Sequence, residues 1–83
     1  MEKQIAELMN KYKYFNISGG ALYWHTGRTS ERILVSDIDS IEFFSDKAIL
    51  KSEKGTEFGY HEVVFTASGA AFTETLDNVV YYN

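Results

Sequence analysis

The stretch from Arg32 to Ser52, RILVSDIDSIEFFSDKAILKS, constrains the fold more than any other part of this chain. It is the densest apolar region, and polar pairs at Ser36-Asp37 and Ser45-Asp46 divide it. Ile33, Val35, Ile41, Phe43 and Ile49 are β-branched or aromatic, the types that fit a pleated, half-buried surface. The stretch reads as three short strands, 31 to 36, 39 to 44 and 47 to 52, in an antiparallel meander.

The rest of the chain can be placed around that meander. In residues 2 to 13, Ile5, Leu8, Met9 and Tyr12 recur at helical spacing and form one amphipathic stripe. Glu2 near the start and Lys11 and Lys13 near the end complement the helix dipole. Strands at 14 to 18 and 21 to 26 flank Gly19-Gly20, a pair that permits the positive φ of a tight hairpin. After a turn at Glu53-Lys54-Gly55, residues 56 to 66 read as one longer strand. Its apolar phase changes between Gly59 and Glu62, which predicts a bend. Strands at 70 to 76 and 79 to 82, joined by Asp77-Asn78, complete the chain. The expected fold is α+β: one domain over residues 1–83, its N-terminal helix packed on a strongly bent, mostly antiparallel sheet or small open barrel of about seven short strands.

Gly20-Ala21-Leu22-Tyr23-Trp24 followed by Arg32 to Glu42 resembles the opening strands of bacterial pleckstrin-homology-like domains, a strand and a turn leading to a second strand with a hydrophobic-x-x-Ile break. The resemblance implies a barrel closed by a C-terminal helix. In this chain the helical pattern lies at the N-terminal end instead.

With 83 residues and no cysteine, the chain can build neither a disulfide framework nor a thiolate metal site. No run reaches the length of a membrane-spanning helix, and the charged N-terminus does not read as a signal peptide. These features suit a cytoplasmic protein that does not engage a membrane.

Charge is distributed unevenly. Residues 1 to 32 hold five Lys/Arg and three Glu, whereas residues 33 to 83 hold three Lys and nine Asp/Glu. An acidic second half suits a basic partner and disfavours nucleic acid as the main ligand. Asp37, Asp39, Glu42, Asp46, Glu57 and Glu62 are the candidate partner-binding residues. They suit a small non-enzymatic interaction module, an inhibitor or accessory factor of the phage or mobile-element type. Its partner would be a basic, nucleic-acid-handling protein that meets carboxylates where phosphates would lie. The C-terminal strand Val79-Val80-Tyr81-Tyr82 is apolar or amphipathic on both faces and suits an edge that pairs in a homodimer.

Two alternatives use other residues. Lys11, Lys13, Tyr14, Trp24, Arg28 and Arg32 interleave aromatic and basic side chains, as single-stranded nucleic-acid binders do. A small-ligand pocket between helix and sheet would draw on Tyr12, Trp24, His25 and His61. Motifs for catalysis are missing: no serine sits in G-x-S-x-G or S-x-x-K, and no glycine run precedes a lysine as in a phosphate loop. The two histidines are far apart in sequence, and Asp37-x-Asp39 lacks the glycine and fifth-position ligand of a calcium loop. No catalytic residue, metal or cofactor is therefore expected.

Overall fold

A computed structural model of the chain describes residues 1–26, 29–73 and 79–82, with backbone alone for Thr26, Thr29, Phe72, Thr73 and the last four. Helix α1 spans Glu2–Lys11 and ends where Tyr12 turns extended, its N–H still bonded to the Leu8 carbonyl. The expected stripe is the buried one: Ile5, Leu8 and Tyr12 enter the core, and Met9 packs against it.

Strands β1 (Phe15–Ser18), β2 (Ala21–Thr26) and β3 (Thr29–Leu34) form a three-stranded antiparallel sheet. Gly19 and Gly20 make the β1–β2 turn with φ of 57° and 76°, values that a Cβ would disfavour. Strands β4 (Ser40–Phe43), β5 (Ala48–Lys51), β6 (Glu62–Thr66), β7 (Gly69–Thr73) and β8 (Val79–Tyr82) follow in sequence order in a five-stranded antiparallel sheet. Each connection inside a sheet joins neighbours, as short antiparallel turns require. No helix among the described residues is long and apolar enough to cross a membrane.

Four expectations need correction. The single strongly bent sheet or barrel of about seven strands is two open sheets with eight strands among the described residues. The central meander is split between them. β3 pairs with β2, and β4 opens the other sheet, because Val35–Asp37 forms a 3-10 turn that interrupts the ladder. Among the described residues the two sheets do not close into the barrel implied by the pleckstrin-homology-like resemblance.

The expected strand 56 to 66 is regular only from Glu62 onward. Its first half is a loop, in which Gly55 and Gly59 take φ of 92° and 89° and the Thr56 hydroxyl accepts from the Tyr60 N–H. A side chain that bonds nearby backbone offers the chain an alternative to a ladder. The Asp77-Asn78 turn lies outside the described residues.

The core lies between the sheets and under the helix. Leu8, Leu22, Trp24, Leu50, Val63 and Phe65 are its largest fully buried apolar side chains. Leu22, Trp24 and Ile33 come from the three-stranded sheet, and Ala48, Leu50, Val63 and Phe65 from the five-stranded one. Phe15 and Trp24 both meet Phe65 edge-on, at centroid distances of 4.7 and 5.1 Å. The Tyr14 hydroxyl donates to the carbonyls of Thr66, at 2.6 Å, and Gly69, at 3.2 Å. It thereby ties the start of the first sheet to the β6–β7 turn of the second.

Candidate interaction surface

The 3-10 turn that separates the sheets also places the first acidic groups. Asp37 ends that turn, and its carbonyl accepts the Ser52 hydroxyl at 2.6 Å. Asp39 follows with its N–H on the Lys51 carbonyl, and its carboxylate accepts the Glu53 N–H at 2.6 Å. Ser36, Asp37, Asp39, Glu53 and Lys54 thus line one open groove of about 430 Å³.

The adjoining sheet face continues the charge. On β4, β5 and β6 the residues Ile41, Leu50 and Val63 point into the core, so alternation sends Glu42, Lys51 and Glu62 outward. Lys51 stands opposite Glu62 in register and pairs with Glu42 at 3.6 Å. Lys54 approaches Asp37 at 3.8 Å. The Glu42–Lys51 pair is half-exposed on both sides and contributes little. Asp39, Glu53 and Glu62 take part in no ion pair among the described residues.

Of the six acidic candidates, Asp37 and Asp39 line the groove before β4, Glu62 begins β6 at the same end of the five-stranded sheet, and Glu42 lies on the outer face nearer the β4–β5 turn. The other two lie elsewhere. Asp46 sits in the β4–β5 turn, at the opposite end of that hairpin, where its charge reaches Tyr12. Burial first and Asp46 second push the Tyr12 hydroxyl above its ordinary range. Glu57 lies on the loop after β5 and accepts from Arg32 Nε at 2.8 Å. Glu53 completes the groove although sequence reading took it only as part of a turn.

The nucleic-acid set is also divided. Lys11, Lys13 and Tyr14 gather at the C-terminal end of α1, around an open depression of about 460 Å³ that Tyr12 and Ala67 complete. Lys11 donates to the Phe44 carbonyl and stands over the Tyr12 ring. Arg32 is committed to Glu57 and also bonded to Tyr23. Arg28 lies outside the described residues. Trp24 is fully buried, so it offers no ring on which a base could stack. Sequence spacing could not separate it from a surface aromatic, because its neighbour His25 is exposed on the opposite face of the same strand.

The ligand-pocket set fares similarly. Tyr12 and Trp24 belong to the core cluster. His25 Nδ1 lies 2.9 Å from the Ser30 hydroxyl, whereas His61 Nδ1 donates to the Ser52 carbonyl at 3.1 Å. Among the described residues no three His, Asp or Glu side chains are placed to hold a metal ion.

A buried carboxylate stands behind the acidic surface, and sequence reading missed it. Glu31 is only 1% exposed. It faces the core in the row Phe15, Trp24, Glu31 across the three-stranded sheet. The signal was present: Glu31 stands two residues before Ile33, so on a strand the two share a face. Glu31 Oε1 accepts the Arg32 N–H at 2.9 Å and Oε2 accepts the Thr56 hydroxyl at 3.0 Å. The Phe58 N–H is a third donor. Burial raises the carboxyl above its ordinary range, these donors oppose the rise, and the charge of Glu57 adds to it.

No protein-family model, curated protein or solved structure matches this chain.

Proposed function

We propose that this domain is a non-enzymatic interaction module, an inhibitor or accessory factor that binds a basic, nucleic-acid-handling protein through the acidic end of its five-stranded sheet. One observation carries the reading: Asp37, Asp39 and Glu53 line a single groove, and Glu42 and Glu62 extend the charge over the adjoining sheet face. Lys51 and Lys54 are the cations inside that surface. Such a field steers a basic partner toward encounter and fixes its register. Strand β8 ends the five-stranded order, which supports self-association through that edge.

The test compares the wild-type chain with an Asp39→Lys, Glu42→Lys, Glu62→Lys variant. Both are tagged and used to capture partners from native lysate, with and without nuclease. The expected result is a basic nucleic-acid-handling protein retained by the wild type in both halves and lost by the variant, with circular dichroism unchanged. Equal retention by the two chains overturns the proposal. So do partners that vanish with nuclease, which would move the function to Lys11, Lys13 and Tyr14.

A further inference from the structure

The segment Ser52–His61 bridges the two sheets. Its base belongs to the five-stranded sheet: the Ser52 N–H donates to the His61 carbonyl at 2.9 Å, continuing the β5–β6 ladder. Its tip rests on β3 of the other sheet. There the Glu57 N–H donates to the Arg32 carbonyl at 2.9 Å, and Thr56 and Phe58 donate to the buried Glu31 carboxylate. Thr56 also organises the tip internally. Its N–H bonds the Tyr60 carbonyl at 2.8 Å, its hydroxyl accepts the Tyr60 N–H, and its carbonyl accepts the Gly59 N–H. The bonds to Glu31 and Arg32 tie the tip to the first sheet.

Among the described residues, Glu31 is held by dipoles and not by a cation. On β3 itself, the Arg32 guanidinium is engaged by Glu57 and Tyr23. On the loop, Glu57 brings a negative charge, and His61 points its Nδ1 at the Ser52 carbonyl. The neighbours in register on β2 and β1, Trp24 and Phe15, carry no charge. A buried carboxylate without a countercharge is costly to ionise, and release of the loop would return it to water.

We propose that Ser52–His61 is a clasp whose closure on β3 is coupled to the protonation of Glu31, closing more tightly as pH falls and loosening as it rises. The sign follows from linkage. The closed state binds the proton more tightly than an open state in which water solvates the carboxylate, so closure gains as pH falls and loses as pH rises. A single proton couples at most about tenfold per pH unit. The clasp carries Glu53 and Lys54, which line the acidic groove, so its closure also bears on how that groove is presented.

Amide hydrogen exchange, corrected for intrinsic rates, tests this on the isolated chain without any partner, so its outcome is separable from that of the binding proposal. As pH is lowered from 7.5 to the ordinary carboxyl value of 4.5, protection of the Glu57, Phe58 and Tyr60 amides is expected to rise in the wild type, by at most about tenfold per pH unit, and to stay flat in Glu31→Gln. A flat wild type, or an equal rise in both chains, overturns the proposal. Thr56→Val provides a second readout that does not depend on how well Glu31→Gln folds. Removing a donor to the charged form should move the midpoint of the protection change to higher pH, and an unmoved midpoint also overturns the proposal.

Discussion

The Phe65 ring from β6 meets the Trp24 ring from β2 edge-on, with centroids 5.1 Å apart, and both side chains are fully buried. One residue comes from each sheet, so this contact joins the two halves of the core. Edge-on aromatic pairs add roughly 0.5–1.5 kcal/mol beyond the area they bury.

Phe65→Ala removes that contact and the one to Phe15, and it leaves a cavity between the sheets. The expected cost is about 3–5 kcal/mol. Small domains have roughly 5–15 kcal/mol in total. The variant should unfold at much lower urea with weakened near-ultraviolet dichroism from Trp24. Phe65→Leu, which retains most of the volume, should fall between it and the wild type.

Thr56→Ala leaves Glu31 Oε2 without its hydroxyl donor and the Tyr60 N–H without its hydroxyl acceptor. Loss of hydrogen bonds of this kind, one of them to a carboxylate, costs about 1–3 kcal/mol. Urea unfolding at neutral pH should show that loss. A midpoint equal to the wild type would mean that water takes over both bonds.

Stability should depend on pH through Glu31. Its folded pKa is raised, mainly by burial, so the native chain binds the proton more tightly than the unfolded chain. The contribution is present at acidic pH and is lost as pH rises from the ordinary carboxyl value of 4.5 through the folded one. Unfolding free energies from urea titrations between pH 7 and pH 4.5 should therefore rise as pH falls in the wild type, by at most about 1.4 kcal/mol per pH unit. Glu31→Gln should show a flatter profile over the same range.

Tyr14 gives the corresponding effect in alkali. Burial pushes its hydroxyl above the ordinary value of 10.0, and the bond to the Thr66 carbonyl is made by the protonated form. The unfolded chain ionises first, so stability is lost as pH rises past that ordinary value. Tyr14→Phe should cost about 0.5–1.5 kcal/mol at neutral pH through the lost hydrogen bond. It should also lose less stability than the wild type when the pH is raised further, as alkaline urea titrations would show.

Much of the local architecture was legible in the residues. The Ile5, Leu8, Tyr12 stripe is the buried side of α1, and Gly19-Gly20 makes the β1–β2 turn. The outward positions of Glu42 and Glu62 follow from the alternation of Ile41 and Val63. The acidic set gathered only in part, since Asp46 and Glu57 sit on turns whose positions depend on strand pairing. Trp24 read equally well as a core ring or a stacking platform until its strand had a face.

The sequence by itself determined which segments could be helix, strand or turn, because those choices rest on spacing and on backbone sterics within a few residues. Tertiary structure alone decided that β3 pairs with β2 and not with β4, and that the chain changes sheet at Val35–Asp37. It also decided that Thr56, 25 residues away, would supply a donor to the Glu31 carboxylate. A ladder partner or a donor for a buried carboxylate is chosen by the free energy of the packed whole, in which distant segments compete for the same backbone edge. No local pattern in the residues records the outcome of that competition.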